Sequence, residues 1–176
     1  MKAVHVFFSL LGLLSLLAGC ASLPPELQGQ AAPLSLAQVQ AEPEKYRGRT
    51  VRWGGTILKV ENAAEATRIQ ILARPLDRSG RPQKDGEPLG RFMATTPAFL
   101  DPAIYLPGRE LTVLGTVADS TEISVGERKL RIPLIAAKSW HLWPRREKKS
   151  PPPVYPTWYW WYDFWWWYYP WGPCCW

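Results

Sequence analysis

At Thr50 the chain changes period. In TVRWGGTILKV, residues 50–60, apolar side chains fall at Val51 and Trp53, the alternation stops at Gly54-Gly55, and it resumes at Ile57 or at Leu58 and Val60. Period two belongs to strands. A glycine pair inside one marks a bulge or a sharp bend where another backbone comes close, so this strand belongs to a curled sheet rather than a flat one. Further strand patterns follow at Thr67 to Arg74, Arg91 to Thr95, Glu110 to Ala118 and Lys129 to Ala137, separated by stretches rich in Gly, Pro and Asp. Ahead of them Ser35 can cap a short helix with Leu36 and Val39 on one face. Pro43 then breaks that helix or opens a second turn ending at Gly48. The pattern predicts a mainly β fold: a small five-stranded OB-like antiparallel β-barrel, closed or nearly closed over residues 46–143, with a short N-terminal helix. Trp53, Ile69, Ile71, Val113, Val117, Ile132 and Leu134 are its expected core.

The two ends differ from this middle. Residues 1–20 read MKAVHVFFSLLGLLSLLAGC, with one lysine, an apolar run from Val6 to Leu17, then small residues and a cysteine. That is a secretory leader, too short for a spanning helix. Leu17-Ala18-Gly19-Cys20 is similar to the lipobox of bacterial lipoproteins. The resemblance implies a diacylglyceryl group on the Cys20 thiol, removal of residues 1–19, and acylation of the new amine with a fatty acid such as palmitate. Three acyl chains then hold the protein stably, where one would hold it only marginally. Ala21 and Ser22 follow, with no aspartate; by the same resemblance the destination is the outer membrane, on its periplasmic face. Residues 20–33 read as a lipidated tether rich in Pro, Gly and Gln, with little to bury.

At the other end, residues 144–157 form a basic and proline-rich linker, and residues 158–176 an irregular aromatic tail. From Tyr155 to Trp176, fourteen of twenty-two side chains are aromatic, and eight of the eleven tryptophans lie there. Water does not tolerate that much contiguous apolar surface. The twelve residues from Trp158 to Tyr169 would reach about 18 Å as a helix, against a hydrocarbon core of about 30 Å, and Asp163 sits among them. Nor do they alternate as a membrane strand does. Tryptophan and tyrosine favour the headgroup zone. The expectation is a tail in the membrane interface through Trp158, Trp160, Trp161, Trp165, Trp166 and Trp167, with Arg145, Arg146, Lys148 and Lys149 facing anionic headgroups. The other reading, an aromatic cluster packed on the barrel or on another copy, stays open. Cys174 and Cys175 are adjacent, and Cα atoms about 3.8 Å apart are too close for an unstrained bridge. An intermolecular bond or idle thiols both remain.

Several stretches together resemble the Slp family of outer-membrane lipoproteins, the starvation-inducible group of Gram-negative bacteria: the lipobox at Cys20, Val51-Arg52-Trp53-Gly54-Gly55, Pro75-Leu76-Asp77, Phe99-Leu100-Asp101-Pro102, Val113-Leu114-Gly115-Thr116-Val117 and Trp140-His141-Leu142. The resemblance covers about Tyr46 to Leu142. It implies envelope localisation and expression under starvation or acid stress, and no established biochemical activity.

The residues themselves argue against an enzyme. Beyond the leader there is one histidine, His141, near the end of the last strand, where packing is the ordinary role. No P-loop, G-x-S-x-G or H-E-x-x-H occurs. His141 and the terminal cysteines lack zinc-ligand spacing. Asp77 and Asp101 stand beside or near prolines in loops, where turn chemistry is the usual reason for them. The expectation is therefore no catalytic residues, no metal and no cofactor. Nucleic acid is a poor partner: the formal net charge is only +6, aromatics on the barrel are few, and the chain leaves the cytoplasm. Two classes remain. One is a structural or interaction module contacting an envelope protein or itself. The other is a small-ligand-binding lipoprotein using the barrel face.

Overall fold

Gly54 and Gly55 stand where one strand is paired on both edges. The computed structural model describes residues 22–146. β1 (Thr50–Asn62) runs antiparallel to β2 (Thr67–Arg74) along its second half and to β4 (Glu110–Val125) along its first half. The two ladders overlap at the glycines: Gly54 faces Arg74 and Thr112, and Gly55 faces Ala73 and Leu111. β3 (Gly90–Thr96) follows β2, and β5 (Arg128–Leu142) closes the circle in the order β1-β2-β3-β5-β4.

This is the expected five-stranded, OB-like barrel, with one seam in the other direction. β3 and β5 pair parallel, Met93 to Thr95 against Leu134 to Ala136, while the remaining seams are antiparallel. An odd number of strands cannot alternate direction around a closed ring, so five strands and closure require one parallel seam. The sequence expectation also ended β4 too early. Residues 119–126, expected as a loop, belong to a long hairpin in which Ser120 faces Pro133 and Val125 faces Arg128 across Gly126-Glu127. Gly126 has φ +60 there, a conformation suited to a tight hairpin turn.

The barrel is filled. Val51, Ile57, Ile69, Ile71, Phe92, Leu111, Val113, Val117 and Ile135 make its centre. Trp53 is half-buried, edge-on to Phe92 with ring centroids 5.6 Å apart, and its indole N–H donates to the Leu34 carbonyl at 2.9 Å. Ile132 is buried as expected, but Leu134 is only half-buried and faces outward. Helix α1 (Leu36–Ala41) supplies Leu36 and Val39 to the core. Ser35 caps it as expected, and Gln38 completes a capping box: Gln38 N–H donates to Ser35 Oγ at 3.2 Å, and Ser35 N–H to Gln38 Oε1 at 2.9 Å. A second turn, α2 (Pro43–Tyr46), begins at Pro43. Truncating Phe92 removes the largest fully buried side chain and half of the aromatic pair. Phe92→Ala is expected to cost about 3–5 kcal/mol in urea unfolding, and a loss below about 1 kcal/mol would mean the barrel interior is not the main core.

Residues 146–176 are a unit apart from the barrel, and of them only Arg146 is described.

Candidate functional site

The outer face of β4 and β5 is covered by the segment that follows Cys20. Residues expected to be slack lie against the barrel from Leu23 onward. Leu27, in a short 3-10 turn at Pro25–Leu27, is fully buried with Leu114 and Trp143, and Leu23 and Ala31 pack at the margin. Polar groups fasten the backbone of this strap. Arg52 donates from Nε to the Leu27 carbonyl at 3.0 Å and from Nη2 to that of Gly29 at 2.8 Å. The Ala32 N–H donates to the Thr50 carbonyl at 2.8 Å. The Ser139 hydroxyl donates to the Glu26 carbonyl. His141 is here, with Nδ1 3.5 Å from Glu26 Oε2 and its ring edge-on to Trp143 at 4.5 Å, which makes it a packing residue.

The C-terminal exit lies in the same corner. The buried Thr112 hydroxyl donates to the Gly80 carbonyl at 2.7 Å and accepts from the Trp143 indole at 2.9 Å. Gly80 lies so close to Leu23 that a Cβ on it would come within 2.6 Å of that side chain. Arg81 pairs with Glu110 at 2.6 Å, donates to the Pro144 carbonyl at 2.7 Å, and holds its guanidinium 5.5 Å from the Trp143 ring. Arg109 donates to the carbonyls of both Trp143, at 2.9 Å, and Ile104, at 3.4 Å. Arg109 thus ties the strand end to the loop carrying Ile104, and Arg81 fixes the exit at Pro144.

A second feature lies on the outer face of the barrel. The β4–β5 hairpin stands over β1, β2 and β3 and leaves a groove of about 340 Å³. Lys59 and Glu61 form one wall and pair with each other at 2.5 Å; Arg68 and Gln70 form another. Thr121 to Ser124 close it from the hairpin, over Met93 and Leu134. Mixed charge, hydroxyls and a small apolar floor are the makings of a binding groove.

The residues picked out from the sequence fall as follows. Arg145 and Arg146 are described and exposed at the C-terminal exit. Cys20, Lys148, Lys149, Trp158, Trp160, Trp161, Trp165, Trp166 and Trp167 lie outside the described residues, as do Cys174 and Cys175. Asp77 and Asp101 sit in different loops and serve turns: Asp77 Oδ1 accepts from the Ser79 and Arg81 N–H groups, and Asp101 Oδ1 from that of Ala103. Among the described residues no three Cys, His, Asp or Glu gather as metal ligands. Leu27, Arg81, Arg109 and Trp143 were not singled out. For Leu27 the available signal was one apolar residue placed just after Pro24-Pro25 in an otherwise polar run.

Comparison with known proteins bears on this arrangement. The sequence model of the Outer membrane lipoprotein Slp family matches residues 17–172. The chain is 30% identical over 132 residues to the uncharacterized lipoprotein YeaY of Escherichia coli K12, covering 72% of this chain and 68% of that one. It is also 30% identical over 139 residues to the outer membrane protein Slp of the same organism, covering 76% and 73%. Among solved structures it is similar to a small single-stranded DNA-binding protein from Streptomyces coelicolor at 14% identity and a TM-score of 0.35, over 54% of this chain and 94% of that one; so weak a likeness says nothing about function.

Proposed function

Because the chain belongs to the Outer membrane lipoprotein Slp family, we propose that it is a structural or interaction module of the cell envelope, fixed at the membrane by acylated Cys20. The strap carries this reading. Leu23 already lies against the barrel, so only Ala21 and Ser22 separate it from Cys20, about 10 Å of extended chain. A module built to reach far from its anchor needs a long free tether; this one is held at the surface, where its partner must also be. The aromatic tail from Trp158 onward is a second attachment in the lipid interface, and Arg145, Arg146, Lys148 and Lys149 meet anionic headgroups beside it. The periplasmic face of the outer membrane is the proposed site, and starvation or acid stress the proposed occasion.

The test is made in intact envelopes. Cys20→Ala is expected to lose the mass of the acyl chains and to move most of the protein into the soluble fraction after a high-salt wash that weakens basic contacts. A flexible twelve-residue insert after Cys20 should keep the protein on the membrane yet reduce cross-linking to its neighbour severalfold. An unmodified Cys20 in the native protein, read from its intact mass, overturns the anchor. Unchanged cross-linking with the insert overturns the surface-held module.

The groove over Met93 favours a second reading, a small-ligand-binding lipoprotein. Its size suits a small polar molecule. Native mass spectrometry of protein released gently from envelopes decides: a bound mass that is lost when Gln70→Trp fills the groove supports it, and an unliganded protein counts against it.

A further inference from the structure

The loop between β3 and β4, PAFLDPAIYLPG from Pro97 to Gly108, sorts its apolar residues inward and outward. Leu100 points into the core. The Asn62 side chain donates to the Leu100 carbonyl at 3.0 Å. The Tyr105 hydroxyl accepts from the Trp140 indole at 2.9 Å. Between these fixed points Asp101 forms a turn, its backbone carbonyl accepting from the N–H groups of Ile104 and Tyr105 at 2.9 Å. The residues beside the anchors are left outside: Phe99 is 74% exposed, Ile104 53% and Leu106 38%. An exposed aromatic and two exposed aliphatics on a loop pinned at both ends cannot turn inward to hide.

We propose that this loop is a membrane contact of the barrel, with Phe99, Ile104 and Leu106 entering the lipid interface of the bilayer that holds Cys20. The proposal rests on the lipid-anchored reading above. Its position decides the occupant. Arg109 joins the Ile104 carbonyl to that of Trp143 across the width of one guanidinium, and Thr112 and Gly80 join Trp143 to Leu23. The loop therefore borders the corner from which the chain leaves toward Cys20 on one side and toward Arg145 on the other. An acylated N-terminus draws that corner onto lipid, and a protein partner would have to displace the membrane to reach it. The loop is already ordered, so insertion costs little conformational freedom. Three apolar side chains at the interface add attachment in proportion to the area they bury, and they set which way the barrel faces.

The experiment uses the full acylated chain with Cys174→Ser and Cys175→Ser, in which Cys20 carries lipid and no thiol remains. Ile104→Cys, Phe99→Cys or, as a control at the hairpin turn, Glu127→Cys is labelled with an environment-sensitive dye and reconstituted in vesicles of phosphatidylethanolamine and phosphatidylglycerol. Dyes at 99 and 104 are expected to shift to the blue and to be quenched by lipids spin-labelled near the headgroup, while the dye at 127 does neither. Water-like emission at 99 and 104 from protein that floats with the vesicles overturns the proposal and leaves the anchor standing. Failure to float overturns the anchor and the proposal with it. A blue shift that grows with protein density and is not quenched by lipid assigns the loop to a second copy and overturns the proposal. As a second measurement, Phe99→Asp with Ile104→Asp in the full Cys20→Ala chain should weaken binding to the same vesicles by about tenfold or more; unchanged binding overturns the loop contact.

Discussion

Gly55→Val abolishes folding of the barrel in the expected result. A Cβ at Gly55 would stand 1.9 Å from the Leu72 carbonyl oxygen and 2.9 Å from Ala73 Cα. Those atoms are backbone in a ladder paired with Gly55 itself, so no side chain can turn away to make room. Relief requires parting β1 from β2 where β4 already holds the other edge at Leu111. The cost is more than about 4 kcal/mol, a large share of the roughly 5–15 kcal/mol that holds a domain this size together. Circular dichroism should show loss of strand signal, and even Gly55→Ala should lower the unfolding midpoint strongly. Gly126→Asn is the contrast. It keeps a residue that tolerates the φ of +60, and nothing lies within 4 Å of its Cβ, so it should fall within about 0.5 kcal/mol of the native protein. A native-like midpoint for Gly55→Val would mean that the double pairing of β1 is wrong.

Leu27→Asp produces a different failure. Leu27 is fully buried with Leu114 and Trp143, and a carboxylate there loses that apolar packing and must be desolvated. The strap has a way out that the barrel lacks: it covers an outer face, so it can leave while the core stays packed. The loss is therefore limited to the strap's own docking energy, about 2–5 kcal/mol by analogy with buried leucine truncation. Amide exchange should accelerate by several orders of magnitude at Leu27 and Ala32. Exchange at Ile71 and Val113 should be little changed. Exchange spreading into those core amides would show that the strap is part of the barrel's cooperative unit.

The parts of the fold that were legible in the sequence are those in which local pattern and tertiary role agree. Ser35 ahead of Leu36 and Val39, the alternation through Ile69 and Ile71, and the glycine pair of β1 each carry their signal within a few residues. The hairpin from Asp119 to Val125 did not, because solvent-exposed strand on both sides of a projecting ribbon is as polar as a loop. Leu134 was misplaced by simple alternation, since β5 passes from that ribbon into the closed ring between Ile132 and Ile135 and changes what each face meets. The strap was illegible for another reason. Leu27 gains its place from Arg52, Leu114, Ser139 and Trp143, residues far away in sequence, and no period of two or 3.6 marks it. Arg81 and Arg109 read as ordinary surface cations until the loops that they bridge are seen side by side. Cys20 and the tail tryptophans lie outside the described residues, and the reading of them rests on chemistry and composition alone.

The strap also fixes an order of events. Glu26 and Ser139 are 113 residues apart, and Leu27 meets Trp143, at the far end of the barrel sequence. The strap from Leu23 onward therefore finds its seat only after the last strand has been delivered and the ring has closed, since contacts across so long a loop form late. On the proposed acylation of Cys20, that late docking shortens the free chain behind the lipid, so a finished barrel is held closer than an unfinished one.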